Sequence, residues 1–168
     1  YNQGIVQDAT SVQIPGVLDA LYAEPAAAAP LGIVFNEDRA PLFNLWAPTA
    51  QSVRVYWFSD ADPTAEPEQI QEMSMDAATG IWQYWGDPTW YNTSYLFEVT
   101  VYAPSVGQVV TNMVTDPYSF GLAVDSQRSL IIDLNDAATM PEGWASVAKP
   151  ALAAPEDIVL YEPVSYTH

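Results

Sequence analysis

The segment that most constrains the fold is residues 43–58, FNLWAPTAQSVRVYWF, in which apolar residues alternate with other residues on both sides of a Pro-Thr-Ala break. A repeat of two residues places every second side chain on the same side of an extended chain, as in a β-strand. A proline followed by small residues is typical of a turn. The segment therefore predicts a strand, a turn and a second strand, which together make a β-hairpin.

The same short-strand pattern continues through the chain from Leu31 onward. Strand-forming segments are separated by turn-forming ones that contain Gly, Pro and Asp. The predicted strands are residues 32–35, 42–47, 53–58, 70–75, 82–85, 95–102, 109–114 and 129–134. We therefore expect an all-β chain, an immunoglobulin-like antiparallel β-sandwich of about seven or eight strands, with an N-terminal linker and an irregular C-terminal extension.

The strand predicted over residues 95–102 shows which side chains should form the core. One of its faces is wholly apolar, and the other is more polar. The apolar face comprises Tyr95, Phe97, Val99 and Val101. Burial of each such side chain contributes about 1.5–3 kcal/mol. We expect this face in the core, together with the rings of Trp46 and Trp82.

The segments on both sides of the sandwich have a different composition. Residues 17–23 suit a turn or two of helix, and residues 24–30, with two prolines and four alanines, indicate a linker. Asp136 is placed to cap a single helical turn. We divide the chain into residues 1–30, a tail with a linker, residues 31–144, the sandwich, and residues 145–168, a second linker.

The C-terminal linker contains one run that does not suit a sandwich. Residues 158–161, IVLY, are continuously apolar and lie between prolines at positions 155 and 163. A strand that is buried on both faces of a parallel sheet has this pattern. We therefore interpret the run as the first strand of another domain.

The charge of the chain excludes several classes of partner. Lys and Arg number 4 against 21 Asp and Glu, which gives a net charge of −17. Nucleic acids would be repelled, and anionic membrane surfaces are disfavoured for the same reason. We therefore expect neither as a partner. A neutral ligand meets no such penalty, and the acidity itself fits either solubility or a basic partner.

The chain lacks most of the residue types that a catalytic triad or a metal site would require. Cysteine is absent, which excludes disulfides and thiolate metal sites, and the only histidine is His168. A Ser-His-Asp site would therefore lack a base unless His168 served. Residues 133–136, DLND, lack the glycine and distal glutamate of a calcium loop, so a strand end followed by a helix cap is preferred. We assign no catalytic residue, no metal and no cofactor.

Three aromatic residues are candidates for contact with a glucan. Trp85, Trp90 and Tyr91 flank the Gly-Asp-Pro-Thr segment at residues 86–89, and loops commonly expose side chains. Flat aromatic faces can stack on sugar rings. The same side chains would serve to pack against a neighbouring domain, so both interpretations stay open.

Several short motifs, taken in order, resemble one enzyme family. Residues 45–50, LWAPTA, resemble the opening of the family-48 carbohydrate-binding module, and residues 114–119, VTDPYS, resemble its later part. Residues 155–162, PEDIVLYE, look like the entry into the first strand of a catalytic barrel. Together the motifs resemble the accessory region that precedes the barrel in pullulanase-type family-13 glycoside hydrolases.

The resemblance implies a role without chemistry of its own. A family-48 module is a non-catalytic accessory domain, and the parent enzyme would hydrolyse α-1,6-glucosidic branches in pullulan, starch or glycogen. The catalytic carboxylates of such enzymes lie in the barrel, which would begin where this chain ends. We expect a fragment cut at both ends, with residues 164–168 not native. The alternative is a freestanding module that binds α-glucan.

The resemblance also implies partners and contact residues. The partner would be the catalytic barrel of the same parent chain, with α-glucan as a further ligand. The residues expected to face the barrel are Asp116, Pro117, Tyr118 and Trp144. Glycogen-binding members of the family carry a Trp three residues before the Asp-Pro pair and a Lys on the central strand, where this chain has Met113 and Leu96. These departures favour a structural partner of the barrel over an independent sugar site.

Overall fold

The computed structural model describes residues 13–60, 62, 64–149 and 151–160. One helix, α1, spans Pro15–Ala27 and precedes the strands. The strands are β1 (Gly32–Phe35), β2 (Pro41–Trp46), β3 (Ala50–Phe58), β4 (Gln69–Glu72), β5 (Ser74–Asp76), β6 (Ile81–Trp85), β7 (Ser94–Ala103), β8 (Gln108–Val114) and β9 (Ser129–Leu130).

The strands form two sheets with a shared core. The first sheet has the order β1-β2-β6-β5, and the second has the order β4-β3-β7-β8, with β9 paired to β7. These pairings are antiparallel. Side chains from β2 and β6 in the first sheet and from β3 and β7 in the second form one cluster. The antiparallel β-sandwich predicted from the sequence is confirmed.

Aromatic rings fill the space between the sheets. Phe43, Tyr95 and Phe97 are fully buried, and Phe43 makes edge-on contacts with both of the others. Val99 packs against the same cluster, and Trp82 is buried within it. Of the four β7 side chains that the alternation assigned to the core, Tyr95, Phe97 and Val99 therefore lie there. Val101 is partly buried and is not part of this cluster.

The connection between β2 and β3 differs from the prediction. Both strands form, but β2 belongs to the first sheet and β3 to the second, so the segment is an arch and not a hairpin. The turn is closed by the Ala50 N–H, which donates to Ala47 O at 3.0 Å. Trp46 is only partly buried and donates its indole N–H to Thr79 O. Alternation shows which face of a strand is buried but not which strand it pairs with, and so the hairpin prediction was wrong.

A second difference lies in the strand predicted over residues 70–75. The structure divides it at Met73 into β4, which pairs with β3, and β5, which pairs with β6. Met73 is buried, and its backbone N–H donates to Val53 O at 2.9 Å. The chain thus crosses from the second sheet to the first at a residue whose side chain fills the core, as strands do at the corners of sandwiches.

The N-terminal helix is longer than the turn or two predicted. It begins with Pro15 at its first position, where a missing N–H costs nothing, and continues through Pro25 to Ala27. Residues 24–27 are therefore helical. The alanines that suggested a linker are also the best helix formers, which explains the longer helix. The described part of the chain contains no helix with the length and hydropathy that a membrane span requires.

The chain divides into two units, Tyr1–Leu134 and Asn135–His168. In the second unit, Asp136 caps a single turn, Ala137–Thr139, by accepting a hydrogen bond from the Ala138 N–H at 3.0 Å. The predicted cap is therefore confirmed. The boundaries predicted for the tail, the sandwich and the linker stay predictions.

Two strands predicted near the C-terminal end are reduced or not formed. The strand predicted over residues 129–134 is limited to β9. Residues 158–160 are irregular, and Val159 and Leu160 are each 90% exposed, while Tyr161 lies outside the described residues. A strand of a parallel sheet needs a neighbouring strand to pair with, and the described part of the chain supplies none to this run.

The turn after β6 is shaped by close packing around Gly86. A Cβ atom at this position would lie 2.7 Å from Trp90 Cε3, 2.9 Å from Pro41 Cγ and 3.1 Å from Phe43 Cε2. Trp90 is 2% exposed, and its ring stacks on Trp57 with the centroids 5.1 Å apart. The glycine lets the backbone approach this buried ring, so the chain can turn from the exposed end of β6 back into the core.

Replacement of Gly86 by alanine tests this packing. We expect Gly86→Ala to lower the free energy of unfolding by about 1–3 kcal/mol, because the surrounding rings cannot move apart without opening the core. Urea unfolding followed by tryptophan fluorescence measures the change. Gly16→Ala is the control, since nothing lies within 4 Å of that position and alanine favours the helix. Equal stability of the two variants would contradict the packing argument.

Candidate functional site

A cleft with a volume of about 940 Å³ lies on the outer face of the second sheet. Alternate residues of β3, β7 and β8 point away from the core onto this face. The register places Tyr56 beside Leu96, and Glu98 beside Met113. The floor of the cleft is therefore partly aliphatic and partly polar.

Arg128 holds in place the loop that forms a wall of the cleft. Its side chain is buried, and its guanidinium carbon lies 3.7 Å from the centroid of the Phe58 ring. It donates hydrogen bonds to Asp60 O at 3.2 Å and to Ala65 O at 2.8 Å. A buried cation is tolerated only where such partners surround it. Arg128 thus ties the loop between β3 and β4 to the segment before β9, a role that the sequence did not indicate.

Tyr56 and Glu98, which line the cleft, belong to a charged network with the neighbouring Arg54. Arg54 donates from Nε and Nη2 to Glu98 Oε1 at 2.8 and 2.5 Å, and the Tyr56 hydroxyl donates to Glu98 Oε2 at 2.7 Å. Burial alone would raise the pKa of Glu98, but the hydrogen bonds from Tyr56 and Arg54 and the charge of Arg54 outweigh it and lower that pKa. The hydrogen bond to Glu98 in turn raises the pKa of Arg54 and of Tyr56.

The cleft can hold a ligand by shape and by apolar contact. Leu96 and Met113 contribute aliphatic side chains, and Met113 is 47% exposed. The hydroxyl of Tyr56 is already bonded to Glu98. Stacking on a sugar ring requires a flat face, which neither Leu96 nor Met113 supplies.

The aromatic residues predicted to contact a glucan lie in different environments. Trp85, at the end of β6, is 53% exposed. Trp90 is buried, with its ring 5.1 Å from Trp57 and 6.1 Å from Tyr84 in stacked arrangements. The loop does not expose Trp90 as expected, because the single helical turn Pro88–Trp90 directs its side chain into the core.

Tyr91 is partly buried beside the same loop. Its ring packs edge-on against Phe35 with the centroids 5.6 Å apart, and the Arg39 guanidinium carbon lies 4.9 Å from the ring centroid. Protein groups therefore already occupy part of the surface of this ring. Of the three predicted residues, Trp85 presents the most exposed ring.

The residues predicted to face a catalytic barrel include one that lies inside the fold. Asp116 is 4% exposed and accepts hydrogen bonds from the Tyr95 hydroxyl at 2.6 Å and from the Tyr118 N–H at 2.8 Å. Its own N–H donates to Ser129 Oγ at 2.9 Å. Burial raises the pKa of the Asp116 carboxyl, although both hydrogen bonds to the carboxylate oppose the shift. Asp116 is therefore an internal anchor of the segment that follows it.

That segment exposes a set of side chains that we call the apolar strip. The strip consists of Tyr118, Phe120, Leu122 and Val124, which are 40%, 70%, 46% and 76% exposed. The segment runs beside β9, where the Leu130 N–H donates to Gly121 O at 2.9 Å and Leu122 pairs with Ser129. Exposed Pro117 precedes the strip. Exposed apolar side chains concentrated in one short segment are typical of an interaction site. Of the four, only Tyr118 was expected at an interface from the sequence.

The second unit contains the last predicted contact residue. Trp144 is 65% exposed and begins the helical turn Trp144–Ser146. Within the described ranges, no group of three or more His, Cys, Asp or Glu side chains is arranged to hold a metal ion. His168 lies outside those ranges.

Comparison with known proteins gives a consistent result. The model of carbohydrate-binding module 48 (isoamylase N-terminal domain) matches residues 30–119. Pullulanase of Klebsiella pneumoniae is 39% identical over 149 residues, which cover 88% of this chain and 13% of that protein. Pullulanase 1, chloroplastic, of Arabidopsis thaliana is 33% identical over 162 residues, which cover 95% of this chain and 16% of that protein.

The structures agree with the sequences. The ligand-free crystal structure of PulA from Klebsiella pneumoniae matches this chain with a TM-score of 0.74 and 37% identity, over 88% of this chain and 14% of that one. The chain thus spans no more than 16% of the length of these relatives. The family resemblance drawn from the motifs is confirmed.

The charged network of the cleft gives a pH-dependent prediction. The pKa of Glu98 is lower in the folded than in the unfolded chain, so its contribution to stability is full above its unfolded pKa and is lost as the pH falls through its folded pKa. The stability difference between the protein and Glu98→Gln should be at most about 1 kcal/mol at pH 7, because Arg54 is 36% exposed, and should shrink below about pH 4.

Urea unfolding at a series of pH values between 7 and 3 measures this difference. Tyr56→Phe removes one of the hydrogen bonds to Glu98. The stability difference between the protein and this variant should also shrink as the pH falls, but by less. If the stability difference between the protein and Glu98→Gln stayed constant with pH, the lowered pKa of Glu98 would be contradicted.

Proposed function

Because the chain belongs to the carbohydrate-binding module 48 family, we propose that it is the non-catalytic accessory module of a pullulanase-type enzyme. The parent enzyme would hydrolyse α-1,6-glucosidic branches in pullulan, starch or glycogen. The observation that carries the proposal is the family match over residues 30–119 together with the similarity to two pullulanases that are many times longer. In this role the chain contributes a surface, and the catalytic groups reside elsewhere in the parent.

The proposed partner is the catalytic barrel of the same parent chain. The apolar strip supports this assignment, since four apolar side chains would remain in water if the module stood alone. The hydrogen bonds of Asp116 hold the start of the strip against β7 and β9, so this end of the strip is fixed before any partner arrives. We propose Pro117, Tyr118 and Phe120 as contact residues, and Trp144 as a further one in the second unit.

The activity assignment is tested with pullulan as the substrate. The complete product of the gene that encodes this chain should release reducing sugar from pullulan, whereas the 168-residue chain alone should release none. Reducing-end assays at matched protein concentration measure both. Hydrolysis by the chain alone would overturn the accessory role, and failure of the complete gene product to hydrolyse pullulan would overturn the parent assignment.

The docking role of the strip is tested with Phe120→Ser. In the complete enzyme we expect a loss of about 1.5–3 kcal/mol of stability, since a buried phenylalanine would be removed from the domain interface. In the isolated chain the change should stay within about 0.5 kcal/mol, because Phe120 is 70% exposed. Val106→Ser is the matched control, an apolar residue that is 59% exposed in a β-turn. Thermal unfolding of both variants, in both contexts, gives the comparison.

The result to look for is a difference between the two contexts. If Phe120→Ser lowers the stability of the complete enzyme no more than Val106→Ser does, the strip is not the docking surface.

A freestanding α-glucan-binding module is the second candidate function. The cleft of about 940 Å³ on the second sheet favours it, because binding sites are usually such concave surfaces. Against it, Met113 and Leu96 line this cleft at the positions where glycogen-binding members carry a Trp and a Lys. We therefore propose the accessory role first.

A further inference from the structure

We propose that the outer face of the first sheet carries a platform, centred on Trp85, on which a neutral α-glucan chain stacks. The class of ligand rests on the proposed function, but the site and its test are independent of the activity of the parent enzyme. The platform consists of Val34, Leu42 and Trp85, with Gln83 beside them.

The register of the first sheet brings three apolar side chains into one row. Leu42 pairs with Trp85, and Val34 pairs with Leu42, so the row crosses β6, β2 and β1. It lies on the outer face, because the neighbouring Phe43 and Tyr84 pack in the core. Adjacent strands are about 4.8 Å apart, and the row therefore spans about 10 Å. This length suits an extended ligand with several rings better than a single small molecule.

The indole of Trp85 is the exposed end of this row. It is 53% exposed, whereas Val34 and Leu42 are half-buried beside it. The Trp85 ring is therefore the most accessible part of the row. A sugar ring presents C–H groups on its faces, and these pack well on a flat indole.

A polar side chain lies next to the row on the same face. Gln83 is exposed and donates from Nε2 to Asn44 Oδ1 at 2.7 Å. Asn44 is itself fully buried and donates to Gly32 O at 3.1 Å and to Leu42 O at 3.2 Å. This chain of hydrogen bonds orients the Gln83 amide, so that its oxygen can accept a hydrogen bond from a sugar hydroxyl.

The turn after β6 makes the platform rigid. Gly86 fits against Trp90 and Pro41, where a Cβ atom would clash. The carboxylate of Asp87 accepts hydrogen bonds from the Thr89 N–H at 2.8 Å and from the Thr89 hydroxyl at 2.7 Å. The residues that follow Trp85 are thus fixed, and an ordered aromatic platform loses little entropy when a ligand binds.

The uncharged side chains of the platform suit a neutral ligand. The chain carries a net charge of −17, yet Val34, Leu42, Gln83 and Trp85 are uncharged. A sugar chain placed on this face covers no carboxylate of these side chains and meets no desolvation penalty from them. A basic partner would instead be drawn to the acidic surfaces of the protein.

The position of the platform also fits the accessory role. Tyr118, the first residue of the apolar strip, lies against β1, since a Cβ atom on Gly32 would be 3.0 Å from Tyr118 Cβ. The start of the strip therefore reaches the edge strand of the sheet that carries the platform. A glucan held on Trp85 would lie on the opposite sheet from the cleft that contains Met113 and Leu96.

Affinity gel electrophoresis of the 168-residue chain in gels with and without amylopectin tests the proposal. The chain should be retarded by amylopectin relative to bovine albumin, and Trp85→Ala should raise the apparent dissociation constant about tenfold or more. Trp144→Ala is the matched control, because Trp144 is 65% exposed in the second unit, and Met113→Ala tests the cleft. Both should be retarded as the unchanged chain is. Circular dichroism confirms that each variant is folded.

Three results would overturn the platform. They are an unchanged chain that amylopectin does not retard, a Trp85→Ala variant that is retarded normally, and a Met113→Ala variant that loses retardation while Trp85→Ala keeps it. None of them bears on pullulan hydrolysis by the complete gene product, so failure of the platform and failure of the proposed function are distinguishable. If amylopectin still partly retarded a Trp85→Phe variant, this would support stacking of the sugar on the aromatic ring.

Discussion

The stacking of Trp90 on Trp57 is the interaction on which the rest of this sandwich depends. The two rings are inclined by only 9°, and the Trp57 indole N–H donates to Thr93 Oγ1 at 2.8 Å. Trp90 belongs to the loop after β6 in the first sheet, whereas Trp57 belongs to β3 in the second, so their contact joins the sheets at one end. It also requires Gly86. The chain therefore reverses at this glycine and leaves Trp85 on the outside.

A second constraint is the buried carboxylate of Asp116. A chain with 21 acidic residues can keep nearly all of them in water, so a buried one indicates that its hydrogen bonds are needed. Asp116 links Tyr95 on β7, the turn at Tyr118 and Ser129 on β9. Burial also raises the pKa of the Tyr95 hydroxyl, which keeps it protonated as the donor. The apolar strip thus begins from a fixed point in the core.

The sequence predicted the sandwich because alternation reports the buried face of each strand directly. It did not predict which strands pair. The spacing of apolar residues indicates neither the arch between β2 and β3 nor the crossing at Met73, and only tertiary packing decides to which sheet each backbone belongs. The same limit applies to the site. Trp85 and Trp90 flank one loop in the sequence, and the contact with Trp57 decides which of them is buried. Arg128 gave no signal because the backbone carbonyls of Asp60 and Ala65, to which it donates, lie far along the chain.

The separation of core and outer faces explains how such a module can change its ligand contacts without changing its fold. Leu96 and Met113 lie on the outer face of the second sheet, while the alternate residues Tyr95 and Phe97 support the core. Substitutions on an outer face alter little of the buried packing, so sugar-contacting residues can be lost there at small cost in stability. The same reasoning allows an exposed ring such as Trp85 to arise on the other sheet. The fold and the ligand-contacting residues can therefore vary independently. The family match establishes the fold, whereas ligand contacts must be argued from the exposed side chains.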